Sequence, residues 1–173
     1  MIHIRDAGIE DLHMLRELGM ATYSEHFSEI WSVDAMQRFL NEDFSIDKLQ
    51  ASIDSPASHS WLIAFNDQEQ AVGFAKLNWS RPTPLCGQPG TELQKIYFLK
   101  SQAGKGFGKQ LLHFIFESAR ERNQSLIWLD VLKTNTSAQH FYEGFGFRAL
   151  GEIPFSTDKA DIGMIVMRCD LGP

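Results

Sequence analysis

Three glycines at alternate positions separate a strand-like run from a helix-like one: Ile96-Tyr97-Phe98-Leu99-Lys100-Ser101-Gln102-Ala103-Gly104-Lys105-Gly106-Phe107-Gly108-Lys109-Gln110-Leu111-Leu112. Glycine lets a backbone approach a bulky anion and adopt dihedrals closed to other residues. The first N–H groups of the helix that follows have no partner inside it, and they sit at its positive dipole end. Together these features predict an anion cradle over Gly104, Lys105, Gly106, Phe107, Gly108 and Lys109, suited to a pyrophosphate, with Lys105 and Lys109 adding diffuse positive charge. A glycine-lined turn that merely packs closely has the same spelling. No stretch reads G-x-x-x-x-G-K-[ST], so a nucleoside-triphosphate loop is disfavoured. The dinucleotide pattern G-x-G-x-x-G finds Gly104 and Gly106 but Lys109 in its third place, although Asp130 imitates the ribose-binding acid of that fold. Three helices and a hairpin before the loop also argue against that fold.

Other chemistries find less support. The six histidines show neither H-x-x-x-H nor H-E-x-x-H spacing and no cysteine partners, so no metal site is expected. His26, beside Tyr23 and Glu25, reads as a surface residue more readily than as a substrate contact. Cys86 and Cys169 lie far apart, which fits a reduced compartment without disulfides. Cys86 lacks an evident histidine activator.

The elements that must position the cradle follow from periodicity. Ile2 to Arg5 alternates as a strand, and Asp6 is placed to cap a helix carrying Ile9, Leu12, Leu15 and Leu18. Ser32 and Ser45 start two further helices, and Ser55-Pro56 ends the second of these. Trp61–Phe65 and Ala71–Asn78 form a hairpin. A long loop over Arg81–Gly90, with Trp79, is placed to wall a pocket. Strands at Glu92–Leu99 and Leu126–Val131 flank a helix over Gly106–Arg122. A short helix near Thr136–Gly144 and strands at Phe147–Glu152 and Ile162–Arg168 finish the chain. The expected fold is α/β: a mixed, mostly antiparallel seven-stranded sheet with a central parallel strand-helix-strand unit and helices on both faces. No linker divides the 173 residues, which read as a single domain with residues 6–55 as a helical arm.

The charge is −6, with 43% hydrophobic and 22% charged residues. A general nucleic-acid or anionic-membrane binder is normally basic, so neither partner is expected. The apolar runs are too short to span a bilayer, and the N-terminus has no apolar signal core, so the expected location is cytoplasmic.

The cradle, joined to Asn135-Thr136-Ser137-Ala138-Gln139-His140-Phe141-Tyr142-Glu143-Gly144-Phe145-Gly146-Phe147, resembles the GNAT superfamily of acyl-CoA-dependent N-acetyltransferases. The matching patterns are [QR]-x-x-G-x-[GA] at Ala103–Gly108 and N-x-x-A-x-x-F-Y-x-x-x-G-F at Asn135–Phe147. The first half, with Ala21 to Phe27 and Phe44 to Leu49, looks like the bacterial branch that includes polyamine acetyltransferases. One position departs: Ala103 stands where Gln or Arg is usual, with Gln102 one place early.

The resemblance implies that acetyl-CoA lies between two splayed strands as co-substrate. Main-chain groups of Ile96, Tyr97 and Phe98 would pair with its pantetheine arm, and an N–H at Phe98 or Leu99 would face the thioester oxygen. Residues Gly104 to Lys109 would hold the pyrophosphate, and Asn135 and Ser137 would meet the cofactor. It also implies transfer to a primary amine without an acyl-enzyme. Tyr142 stands where the family carries the acid for the departing thiolate; a phenol of pKa about 10 stays protonated at neutral pH. Asp130 and Glu92 compete as base, or as holders of a cationic acceptor. The acceptor reads as a polyamine, another small amine or a peptide N-terminus. A homodimer would be usual for the family, though no residue shows one. A catalytically silent CoA-binding regulatory or interaction module is the alternative that Ala103 leaves open.

Overall fold

The structure is a computed structural model describing residues 1–172. Strand β1 (His3–Asp6) leads through a 3-10 turn over Ile9–Asp11 into helix α1 (Leu12–Phe27). Asp6 does not cap this helix; it ends the strand, paired with Leu62. Asp11 anchors the junction instead. Its carboxylate accepts from the Arg5 guanidinium at 2.7 and 2.9 Å and from the Gly8 N–H at 2.8 Å. Helices α2 (Val33–Asp43) and α3 (Ile46–Ile53) begin where the serines predict. Ser32 Oγ accepts from the Ala35 N–H, and Ser45 Oγ from that of Lys48, both at 3.2 Å. Each such cap stabilises a helix by about 1 kcal/mol.

Strands β2 (His59–Phe65), β3 (Ala71–Pro82) and β4 (Pro89–Phe98) form an antiparallel meander. The expected loop over Arg81–Gly90 is shorter than predicted, because Arg81 pairs with Gly90 and Pro82 with Pro89. The remaining connection is closed by Thr83, whose N–H and hydroxyl both donate to Gln88 O. A 3-10 turn over Lys100–Gln102 precedes α4 (Phe107–Glu121). Strand β5 (Leu126–Leu132), helix α5 (Thr136–Glu143), β6 (Arg148–Ile153) and β7 (Met164–Asp170) complete the order.

The seven strands form one sheet in the order β1-β2-β3-β4-β5-β7-β6, antiparallel except between β4 and β5. This is the mixed sheet the sequence predicts. Two apolar clusters cover its faces. Leu111, Leu112, Ile115, Phe116 and Ala119 of α4 pack on one side. Leu15 and Leu18 of α1, Leu40 of α2 and Leu49 of α3 pack on the other against Trp61, Ile63 and Phe74.

Strand β4 carries two irregularities that create the site. Lys95 pairs with Lys76 but Leu93 with Leu77, so Gln94 is an extra residue, a β-bulge. The bulge switches the alternation of faces. Leu93, Ile96 and Phe98 join the cluster under α4, and Tyr97 and Leu99 join the opposite one. The parallel ladder to β5 then consists of Thr91 with Ile127 and Glu92 with Trp128 alone; beyond these pairs the two strands part.

Candidate active site

The parted strands open a cavity of about 620 Å³ that passes through the sheet. On the α4 and α5 side it is lined by Ile96, Leu132, Ala138 and Tyr142, and on the α1 and α2 side by Tyr23, Phe27, Phe39 and Tyr97. A volume of this size is ordinary for a small-molecule site.

Tyr142 reaches the cavity from α5. Asn135 starts that helix, with its side-chain oxygen accepting from the Ala138 N–H at 3.1 Å. Gln139 ties the helix to the end of β5 through Leu132 O and Lys133 O, at 3.0 and 3.1 Å. The ring packs against Phe147, centroids 5.6 Å apart. Burial, followed by the neighbouring Tyr97, pushes the Tyr142 hydroxyl above its ordinary value. The phenol therefore holds its proton at neutral pH, as an acid needs to.

The two competing carboxylates are placed differently. Asp130 lines the cavity; Glu92 does not. Glu92 belongs to the last pair before the splay and is held by the Asn78 amide, whose nitrogen donates to it at 2.9 Å and to Gln94 at 3.0 Å. Asp130 is exposed where it opens into the cavity, but the cavity walls around it still take part of its carboxylate's hydration. This desolvation, and secondarily the charge of Glu92, raises its pKa above the usual carboxylate range.

The splayed edge of β4 offers unpaired main-chain groups. The Leu99 N–H donates to Val72 O at 3.0 Å, so Leu99 cannot supply the free N–H. Antiparallel alternation then turns Tyr97 toward β3 as well, and aims the groups of Ile96 and Phe98 at the splay. Tyr97 thus enters the cavity by its ring and cannot pair by its backbone as the sequence suggested. His26 also lines the cavity rather than standing apart from it, with Nε2 at 2.8 Å from Phe98 O.

At the α4 end, Gly104 and Gly106 have φ of 78° and 77°, the left-handed region that favours glycine. Among the described residues, none of the N–H groups of 104 to 109 donates to another main-chain group. A Cβ at Gly104 or Gly106 would meet nothing within 4 Å, so the space over the turn is open. These donors and this opening fit a pyrophosphate. Lys105 bonds Gln102 Oε1 at 3.2 Å, so the glutamine displaced from the usual motif position steadies the turn.

The sequence model of the acetyltransferase (GNAT) family matches residues 14–147. The chain belongs to this family. An N-acetyltransferase encoded in the pepI 3' region of Lactobacillus delbrueckii subsp. lactis is 30% identical over 147 residues, 84% of each chain. The L-methionine sulfoximine/L-methionine sulfone acetyltransferase of Pseudomonas aeruginosa is 28% identical over 180 residues, covering 98% of this chain and 95% of that one. The PaiA N-acetyltransferase from Thermoplasma acidophilum, solved in complex with coenzyme A, has a TM-score of 0.76 at 24% identity, covering 98% and 99% of the two chains. As a GNAT protein the chain is an acetyl-CoA-dependent N-acetyltransferase.

Several expected residues sit elsewhere in this GNAT fold. Ser137 is exposed and does not line the cavity, whereas Asn135 does line it while its carbonyl oxygen caps α5. Trp79 is buried, with its indole N–H on Ser60 Oγ, and does not wall the cavity. The neighbouring loop packs on Arg168 through Cys86 and Gln88. Lys95 and the rings of α1 and α2 were missed by sequence reasoning. Lys95 follows the bulge, and its Nζ bonds Asp43 at 2.6 Å and the Tyr23 hydroxyl at 3.0 Å. Among the described residues no group of three or more His, Cys, Asp or Glu side chains could hold a metal ion, and no helix is long and apolar enough to cross a membrane.

Proposed function

We propose that this GNAT enzyme moves the acetyl group of acetyl-CoA directly onto a primary amine while both substrates are bound. The observation that carries this reading is one cavity through the sheet, with Tyr142 on one wall and Asp130 on another. The open edge at Ile96 and Phe98 and the donors of 104–109 accommodate the cofactor, which supplies the activated acyl group. Asp130 accepts the proton that frees the amine nitrogen, which then bonds to the thioester carbon. The C–S bond breaks, Tyr142 gives a proton to the departing sulfur, and the surplus proton left on the new amide nitrogen passes through solvent to restore the phenol. The Phe98 N–H faces the carbonyl oxygen as charge develops there. Neither cysteine lines the cavity, which supports transfer without an acyl-enzyme. A silent CoA binder would have no use for Tyr142 and Asp130 around one opening.

The acceptor class at this level is a primary amine: a polyamine, as the first-half resemblance suggests, another small amine, or a peptide N-terminus. The named activity of the Pseudomonas aeruginosa relative supports a small molecule. Initial rates of thiol release, with acetyl-CoA and amine varied together, test the mechanism. Intersecting double-reciprocal lines are expected; parallel lines, the pattern of a covalent acyl-enzyme, would overturn it.

Asp130 yields a prediction of opposite signs. Between the ordinary carboxylate range and its raised value, the folded chain binds a proton that the unfolded chain has released. Its contribution to stability therefore falls as pH rises through that window, and the penalty is complete above it. Asp130→Asn is expected to raise Tm at pH 7, with the gain vanishing in acid. The same variant is expected to lower kcat/KM and remove the acid limb of its pH profile. A Tm that falls at pH 7 contradicts the assignment.

A further inference from the structure

Resting on the acetyltransferase reading, we propose that the acceptor is a primary amine with a single uncharged apolar body, and that Lys95 excludes acceptors carrying a second ammonium. The α1 and α2 end of the cavity is a continuous row of rings. Tyr97 and Tyr23 have centroids 5.0 Å apart, Tyr23 and Phe39 5.6 Å, Phe39 and Trp31 6.0 Å, and Trp31 and Phe155 6.4 Å. Phe155 comes from the connection between β6 and β7, which is fastened to the arm. Asp158 Oδ1 accepts from the Ser32 N–H at 3.1 Å, and Lys159 Nζ donates to Glu29 O at 3.0 Å. The far end of the row is therefore walled.

The charges in this chamber define what it accepts. Among the described residues lining the cavity, Asp130 is the one carboxylate. It can meet one ammonium, the one that reacts. A polyamine brings a second ammonium, which needs another carboxylate or the face of a ring. Of the carboxylates just outside the lining, Asp43 is already paired with Lys95, and Glu92 is held by the Asn78 amide. The ring faces are also engaged: Lys95 Nζ lies 5.1 Å from the Tyr23 centroid and 6.0 Å from that of Phe39. Lys95 is 5% exposed, so it stays seated on these rings with Asp43 as its counter-charge. A second ammonium there finds the Lys95 ammonium seated on those rings and Asp43 already satisfied by it, so it gives up its water without gaining a carboxylate or a ring face in return. An apolar body meets rings throughout. The cavity of about 620 Å³ must also take the thioester end of the cofactor, which favours a short acceptor.

Free arylalkylamines and amides of apolar amino acids share this chemistry. The test measures kcat/KM with acetyl-CoA for phenethylamine, phenylalanine amide, putrescine and spermidine. Phenethylamine or the amide is expected to exceed both polyamines by about tenfold or more, and their mutual order separates the two sources. Putrescine or spermidine equal to or better than both overturns the proposal while leaving acetyl transfer to amines intact. Absence of turnover with all four overturns the transfer reading as well. Lys95→Met is expected to raise the putrescine-to-phenethylamine ratio about tenfold. If that variant does not fold, the double variant Lys95→Met, Asp43→Leu removes both charges together, a change buried pairs often tolerate. An unchanged ratio in a folded variant assigns Lys95 to structure alone and overturns its part.

Discussion

Tyr142→Phe is expected to lower kcat about a hundredfold or more, the range of a lost general acid, while CoA affinity changes by less than about twofold. The substitution removes one oxygen and keeps the ring, so the packing on Phe147 survives. The proton this hydroxyl holds is firmly bound, because burial and the nearby Tyr97 disfavour the phenolate. What the variant loses is the donor for the departing sulfur, needed as the C–S bond breaks and not before. Loss of kcat without loss of binding is the signature of an interaction made in the transition state. If CoA affinity falls in step with rate, Tyr142 is a packing residue and the acid must be sought elsewhere.

The second large effect lies at Gly108. Unlike Gly104 and Gly106, it has no positive φ, and a Cβ there would find only Phe141, at 3.7 Å. Glycine inside a helix is less favourable than alanine by about 1 kcal/mol. Nothing in the free chain accounts for it, whereas close approach of an anion to the N–H groups of the first helical turn does. Gly108→Val is therefore expected to fold normally and to lose CoA binding. Two charge-assisted bonds to the pyrophosphate, at about 1.5–3 kcal/mol each, correspond to a rise in Kd of about a hundredfold or more. Gly108→Ala is expected to raise the Tm of the free protein while weakening CoA. Gly106→Val differs, because valine at φ 77° adds about 1–3 kcal/mol of strain. Thermal shift with CoA reads all three: a ligand at a hundred times its Kd adds about 2.7 kcal/mol to apparent stability. A full shift in Gly108→Val contradicts the cradle.

Much of this arrangement is legible in the chain because it is local. The glycine turn, the serine caps of α2 and α3, and the motif that carries Tyr142 each lie within a few residues, and their physics does not depend on distant partners. The acceptor chamber is not local. Tyr23, Phe27 and Phe39 repeat at helical spacing, which reads the same for a core as for a pocket. Lys95 looks like the polar member of an alternating strand. The bulge at Gln94, visible only once β3 and β4 are in register, brings it to the face where Asp43 waits, 52 residues away in sequence. The same long-range pairing separates Asp130 from Glu92, which the sequence leaves equivalent. It also absorbs both ends of the predicted loop, since Arg81 and Pro82 find partners across the hairpin. Asp6 suits a helix start by its type alone, but the sheet takes it as a partner of Leu62, and Asp11 holds the junction through the Arg5 guanidinium.

The most direct test is a crystal structure with CoA bound. Pyrophosphate oxygens are expected within hydrogen-bond distance of the N–H groups of 104–109, the pantetheine arm along Ile96 and Phe98, and the sulfur beside the Tyr142 hydroxyl. A pyrophosphate bound away from this turn, or a sulfur on the far side of β5 from Tyr142, would contradict this placement.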